Sequence, residues 1–585
     1  MRRSTSTGRF TSALAFALVA MVMGSARGSD KQPAYAGALS NSQREQIDAL
    51  FKEYEVGARP GCALAVGRNG AAVYTRGYGF ADLEHNVRIT PATLFDIGSV
   101  SKQFTAAAVI LLELDGKLAL ADDVRKYIPE LPSYGSTITI DHLMHHTSGL
   151  RDYNALLSLA GIDEKDLSND AQALALIARQ RGLNFPTGSR YEYSNTGYFL
   201  LSVIVQRVSG RSLAQFARER LFLPLGMSHA QFRDRHDTII PGRALGYAAA
   251  QSEEDAGPPG KDPPHFVNAL SNWEQTGDGS LHLSVEEALK WNDNFHDPRI
   301  GGRALVERLQ QTGALTNGEP ISYARGLSVD RYRGVKRVQH GGNWVGYNAM
   351  LARFPEQRTS IAVFCNFEGA EAAALSNKVA DVLLADGLQP ASPTAAGRNV
   401  AAAPSSHGRF VGSYFADQTQ TVFEVSESAQ VLTLKIGSMS LPLAPVGPAS
   451  FAVGNYPVNV EFGVEEGGTT QQLQLQVDDD PPTLARRFVP VVPDVRESSG
   501  YVGSFYSSEL DATWSVVIDQ GRPALRREKR KFVVTTEPLE PAMRDAFSSE
   551  AGFIRFVRDS SARVTGFDLS SSRMRGMHFQ ERDSN

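Results

Sequence analysis

Three short groups of residues carry side chains suited to covalent chemistry. Ser99 and Lys102 stand three apart in FDIGSVSKQFT, the stretch Phe95–Thr105. An apolar run ending at Gly98 leads into them. Phe104, Ala108, Leu111 and Leu112 then repeat at helical spacing until Asp115-Gly116. If Ser99 opens that helix, Lys102 lies one turn later on the same side. A serine hydroxyl attacks a carbonyl only when a base removes its proton, and a nearby lysine can be that base or orient it. The helix N-terminus adds a field that favours negative charge. The spacing alone is weak, because a serine and a lysine three apart arise by chance in most long chains. The other two groups change its weight: Tyr193-Ser194-Asn195, behind the turn Pro186-Thr187-Gly188, and His340-Gly341-Gly342-Asn343, at the end of a strand-like run.

These groups need a framework that brings distant segments together. Residues 40–56 read as an amphipathic helix with Ile47, Leu50, Phe51 and Tyr54 on one face, broken by Pro60-Gly61. Cys62–Val66 and Ala72–Tyr78 read as two strands around Arg68-Asn69-Gly70. After His145-His146-Thr147-Ser148-Gly149-Leu150 the pattern is mostly helical to about residue 220. Residues 251–265, rich in Pro, Gly and acids, read as a surface loop. Gly277-Asp278-Gly279-Ser280-Leu281 precedes a helix over 284–296, with Ser284 and Glu287 spaced as a capping box. Three strands follow, Lys336–His340, Tyr347–Phe354 and Thr359–Asn366, then a helix over 370–385. Strands at both ends with helices between them predict an α/β (α+β) unit whose sheet joins N- and C-terminal segments.

Behind this unit, residues 387–407 are rich in Ala, Pro and Ser and read as a linker. Phe410-Val411-Gly412-Ser413-Tyr414-Phe415 recurs 91 residues later as Tyr501-Val502-Gly503-Ser504-Phe505-Tyr506. Short alternating runs fill both repeats, among them Val431–Ile436, Gln472–Val477, Phe553–Arg558 and Arg563–Ser570. They predict two small antiparallel β-barrels, over 408–492 and 499–583. The run Arg526–Lys531 reads as a solvated hairpin rather than a binding patch.

The 585 residues are 42% hydrophobic and 21% charged with a net charge of −5, so nothing points to a nucleic-acid partner. Residues 1–26 read as a secretory signal: Arg2, Arg3 and Arg9, then the apolar Ala13–Met23, then Gly24-Ser25-Ala26. Its removal lowers the net charge to −8. The apolar run is too short to span a membrane well, and no other span is expected in the mature chain. A periplasmic or secreted location follows. The two cysteines, Cys62 and Cys365, lie in the strand-like runs CALAV and IAVFC, which could neighbour each other in one sheet. Export permits a disulfide, but two cysteines make no framework, so buried free thiols are expected. Zinc-ligand spacings and nucleotide-binding glycine loops do not occur, so no metal or cofactor is implied.

Taken together, GSVSKQFTAAAV, HHTSGL, PTGSRYEYSNTGY, FLPLGM and His340-x-Gly342 resemble the serine β-lactamase and penicillin-binding-protein superfamily over about 45–385. The branch is the one holding class C β-lactamases, D-alanyl-D-alanine carboxypeptidases, D-aminopeptidases and related esterases. The resemblance implies a β-lactamase/transpeptidase-like catalytic domain over 40–386, with an antiparallel sheet and a helical cluster. With two barrels behind it, the layout is similar to that of three-domain D-aminopeptidases, where a barrel loop overhangs the pocket. It implies Ser99 as acylated nucleophile, Lys102 as proton relay and Tyr193 as general base, alone or with Lys102. Asn195, His340, Gly342 and Asn343 are the implied substrate-binding residues, with the backbone N–H groups of Ser99 and Asn343 as the oxyanion hole. Asp278 is a further candidate, facing a substrate amino group, and His146 is expected to hold a turn.

His340 and Gly341 stand where β-lactamases and carboxypeptidases of the superfamily carry the lysine and threonine of K-T-G, which help bind a substrate carboxylate. A neutral histidine removes that cation, and glycine removes the hydroxyl. The expected function is an exported serine hydrolase acting on D-amino-acid amides or peptides, or on small esters. The alternatives are a β-lactamase or D-alanyl-D-alanine carboxypeptidase, and a non-catalytic peptide sensor. A small-molecule or peptide substrate is the expected partner, with assembly as a homodimer left open.

Overall fold

The computed structural model describes residues 37–250, 265–390, 407–437, 439–453, 458–464, 470–477, 482–530, 533–571 and 573–582. The signal segment 1–26, nearly all of the loop 251–265 and most of the linker 387–407 lie outside the described residues.

The N-terminal unit is built on a six-stranded antiparallel sheet. Its order is Ser328–Tyr332, Val335–Trp344, Tyr347–Phe354, Thr359–Cys365, Cys62–Arg68 and Ala71–Tyr78. The first strands of the chain thus close against the last strands of the unit. Alternation sorts the side chains to two buried faces. Ala63, Ala65, Leu351, Ala362 and Phe364 meet the helical cluster. Leu64, Val66, Met350, Ile361 and Val363 lie under the helices Asn41–Leu50 and Ala372–Leu384. Because both faces are covered, the central strands read as unbroken apolar runs rather than as alternating ones.

The same register overturns the expectation of free thiols. Cys62 and Cys365 are directly opposed on adjacent strands, both on the face under the first helix, and they are disulfide-bonded. The bond links residues 303 apart in sequence. Replacing both cysteines by alanine is expected to lower the unfolding free energy by about 2–4 kcal/mol, mostly by freeing the unfolded chain. Denaturant midpoints of the oxidised protein and the double variant would measure it; equal midpoints would mean that the sheet alone sets the stability.

The helical cluster centres on Lys102–Leu114, whose first eleven residues are all buried, and on Asn195–Ser209, which packs along it. Ser284 caps the helix Val285–Asp293 by accepting from the Glu287 N–H. The expected reciprocal half of that box gives way to tertiary structure: the Glu287 carboxylate accepts from the His229 N–H instead. Among the described residues no helix is long and apolar enough to cross a membrane.

Two β units follow, as the repeat predicts. Eight strands from Gly412–Ala416 to Thr483–Phe488 form a closed antiparallel barrel. Nine strands between Gly503 and Arg582 form a second sheet whose end strands, Val533–Pro538 and Glu540–Met543, are consecutive in the chain, so it curls nearly shut. Phe415, Val422, Ala542, Ala546 and Phe553 pack the two units together. The second unit also docks on the N-terminal unit. Arg151 donates to Glu509 at 2.6 Å and to the Arg575 carbonyl at 3.0 Å, with both charged side chains nearly shielded from solvent. Such a pair holds firmly, because losing either partner alone strands a buried charge. The Arg526–Lys531 run is not wholly solvated: Arg527 pairs with Glu537 at 3.1 Å in a buried position, and the Glu528 carbonyl packs against Gly161 of the N-terminal unit.

Candidate active site

The tetrad residues sit on a tight turn. Gly98–Ser101 forms a 3-10 turn that runs straight into the helix Lys102–Leu114. Gly98 takes a left-handed φ of +48°, and a Cβ there would come within 2.9 Å of the Asn343 nitrogen. On the facing strand, a Cβ on Gly342 would come within 2.0 Å of the Ile97 carbonyl and 3.1 Å of the Ser99 nitrogen. Two glycines therefore let the strand Val335–Trp344 approach the turn backbone to backbone. This close approach brings the backbone around Asn343 against the turn that carries Ser99.

Lys102 is fully buried and its Nζ has three acceptors. It donates to Ser99 Oγ at 2.9 Å, to Asn195 Oδ1 at 2.9 Å and to the Asp278 carbonyl at 2.8 Å. Three N–H bonds satisfy an ammonium group completely. The Tyr193 ring stands beside it, with Nζ 4.8 Å from the ring centre. Ser99 and Tyr193 are half-buried, so both border an accessible space.

The segment carrying Tyr193 and Asn195 is fixed on both sides of Tyr193. The Glu192 N–H donates to the His146 carbonyl, the Ser194 N–H to His146 Nδ1 at 3.1 Å, and the Asn195 N–H to Asp152 Oδ2 at 2.7 Å. His146 has a φ of +56°, and its ring packs at a tilt against that of Tyr193, with centres 4.3 Å apart. It thus holds the turn, as expected, and it also seats Tyr193. Burial, with Lys102 nearby, pushes its imidazole well below the usual histidine range, so it is neutral. Asp152 uses its other oxygen to cap the helix Tyr153–Leu159.

His340 faces the same space. Its Nδ1–H donates to the Gly341 carbonyl at 2.6 Å, and its Nε2 accepts from the Tyr323 hydroxyl at 2.9 Å. Burial and the Lys102 charge lower its pKa to about 4. The imidazole is therefore uncharged at neutral pH, and the position offers no cation to a substrate. Asp278 places its backbone carbonyl on Lys102, while its carboxylate accepts from the Tyr153 hydroxyl at 3.1 and 3.2 Å. Burial, offset in part by Lys102, raises that carboxyl to about 6. The side chain is thus engaged within the protein. Asn343 is exposed at the end of its strand.

Several residues that hold the site escape a reading of the sequence: Asp152, Tyr153, Glu192, Tyr323 and a hairpin of the second β unit. That hairpin, between the strands Val564–Ser571 and Met574–Arg582, reaches into the N-terminal unit. The Arg573 carbonyl accepts from the Asp152 N–H and from Asn184 Nδ2, both at 3.0 Å. Arg575 pairs with Glu192 at 2.8 Å, next to Tyr193. A serine hydroxyl, an ammonium and a tyrosine brought together at one gap can perform acyl transfer.

Comparison with known proteins gives the same reading. The family described as Beta-lactamase matches residues 47–385. A D-aminopeptidase of Cereibacter sphaeroides is 29% identical over 454 residues, covering 77% of this chain and 80% of that protein. A D-aminopeptidase of Brucella melitensis is 28% identical over 542 residues, covering 89% of this chain and 95% of that protein, so the match extends beyond the N-terminal unit into both β units. Among solved structures, the octameric penicillin-binding protein homologue from Pyrococcus abyssi shares the fold, with a TM-score of 0.52 and 24% identity over 76% of this chain and 99% of that one. With its match spanning more than half of the sequence, the chain belongs to the Beta-lactamase family and is a serine hydrolase of that family.

Proposed function

We propose that this protein is an exported serine hydrolase that works through an acyl-enzyme on Ser99, acting on D-amino-acid amides or peptides or on small esters. The observation that carries the reading is the Lys102 ammonium, held 2.9 Å from Ser99 Oγ by Asn195 and the Asp278 carbonyl. The resemblance to D-aminopeptidases over most of the chain supports the substrate class. The disulfide supports export, because such bonds persist in oxidising compartments.

In this mechanism Tyr193, acting as the phenolate beside the Lys102 ammonium, takes the Ser99 proton and becomes the neutral phenol as Oγ attacks the substrate carbonyl. The Ser99 and Asn343 N–H groups receive the oxyanion, where preformed donors are worth most. Collapse expels the amine or alcohol, which leaves with the proton from Tyr193. A water molecule then repeats the sequence on the acyl-enzyme and regenerates Ser99. A panel of D- and L-aminoacyl p-nitroanilides beside short-chain p-nitrophenyl esters tests the reading; turnover of none of them would overturn it.

Benzylpenicillin is expected to be a poor substrate or a slow inhibitor. Its carboxylate is fixed on a rigid bicycle, and the strand that would receive it presents a neutral His340 and a bare Gly341. The wild-type rate with benzylpenicillin, set beside the best ester, checks this. Efficient penicillin turnover would show that the strand needs no cation.

A further inference from the structure

The hairpin from the second β unit does more than brace the Tyr193 segment. Its backbone is pinned on both sides. Asp152 and Asn184 hold the Arg573 carbonyl, the Arg575 N–H donates to Asn184 Oδ1 at 2.9 Å, and Arg151 binds the carbonyls of Arg575 and Gly576. Met574 is fully buried and Arg575 is spent on Glu192. Arg573 alone differs. Its side chain is exposed, and its guanidinium carbon lies 5.3 Å from the centre of the Tyr193 ring. Among the described residues no carboxylate lies within ion-pair reach of it.

The charges around Tyr193 make this arginine conspicuous. Lys102 is buried with all three donors engaged. His146 and His340 are neutral, Glu192 is neutralised by Arg575, the Asp152 carboxylate is occupied by N–H groups, and the Asp278 carboxylate is turned to Tyr153. Among the described residues the rim of the site therefore offers one unspent cation, held in place by its pinned backbone and an aromatic face. Among the described residues no comparable anion faces it to receive a substrate ammonium.

We propose that Arg573 is a specificity residue that binds a carboxylate carried by the acyl or the leaving group of the substrate. This rests on the Ser99 reading above and narrows its substrate class. Acidic acyl or leaving groups are favoured over groups whose only charge is an ammonium. The contact is a charge-assisted, fork-shaped hydrogen bond of the kind guanidinium makes with carboxylate. The second β unit, by supplying that group, becomes part of the binding site rather than only a brace.

The test compares substrates that differ in charge alone. On the acyl side, mono-p-nitrophenyl adipate is set against p-nitrophenyl hexanoate. On the leaving-group side, 4-carboxyphenyl butyrate is set against phenyl butyrate. D-alanine p-nitroanilide provides an ammonium substrate. The quantity read is the ratio of kcat/KM for the anionic to the neutral partner. Arg573→Ala is expected to lower that ratio by about tenfold in at least one pair, and the pair affected identifies the side that carries the carboxylate. Arg573→Lys should restore part of it. Arg573→Glu should lower it further and raise the relative rate of the ammonium substrate. Added salt should shrink the wild-type ratio. Ratios that stay level in both pairs, with all rates falling together, would overturn the proposal and leave Arg573 as a support for Tyr193. Fluorophosphonate labelling of Ser99 in the same samples separates the two readings. A labelled wild type with level ratios refutes only the role of Arg573; a wild type that does not label refutes the nucleophile, and this proposal with it.

Discussion

Replacing Ser99 by alanine is expected to remove covalent labelling by a fluorophosphonate and to lower hydrolysis by about four to six orders of magnitude while leaving the fold intact. The fold should survive because Ser99 Oγ is only one of three acceptors on Lys102; Asn195 Oδ1 and the Asp278 carbonyl remain. The turn also keeps its shape, which depends on Gly98 and on the approach of Gly342 rather than on the hydroxyl. Any residual rate would come from the two backbone donors and from substrate binding, neither of which the substitution touches. Labelling, rate and melting temperature together decide the case. Undiminished labelling of the alanine variant would remove Ser99 from the mechanism. A collapse of the melting temperature would make the rate uninterpretable, and Ser99→Cys, which keeps a nucleophile of similar size, would then stand in for it in the labelling arm.

What the sequence made legible follows from the range over which each feature is encoded. The strands Tyr347–Phe354 and Val431–Ile436 appear where local pattern places them, because β-branched and apolar runs bounded by turn residues specify strands nearby. The edge strand Ser328–Tyr332 was not legible: its residues, SVDRY, alternate weakly, and it is held mainly by pairing with Val335–Trp344. The turn and helix of the tetrad are local and could be read. The pinning of Tyr193 could not, since it depends on Arg151, Asp152 and Glu192 meeting a hairpin whose Arg575 lies 424 positions beyond Arg151. The disulfide lies between these cases. Both strands could be read and their adjacency suggested, but opposition of Cys62 to Cys365 depends on a register that no local signal sets. Asp278 shows the limit of a motif. Its place beside Lys102 follows from the chain, but whether its carboxylate meets substrate or Tyr153 is decided by packing.

Lys102→Ala and Tyr193→Phe are each expected to lower turnover by about two to four orders of magnitude, and the double variant should be little worse than either. The reason is that the two groups are assigned to one proton. In the proposed mechanism Tyr193 takes it from Ser99, and Lys102, with Nζ 4.8 Å from the centre of the Tyr193 ring, assists that transfer. Once either is gone, the other has no transfer left to assist, so the losses should not add. The two substitutions differ in their structural side effects. Tyr193→Phe keeps the ring that packs on His146, so its stability should change little. Lys102→Ala leaves the Asn195 amide oxygen and the Asp278 carbonyl buried without their donor, a loss of about 1–3 kcal/mol. Rates are therefore compared on folded protein, with the melting temperature of each variant measured alongside. Independent action predicts a double variant reduced by the product of the two single losses. Such a product would mean that Lys102 and Tyr193 serve different steps, and the base for Ser99 would then have to be sought in one of them alone.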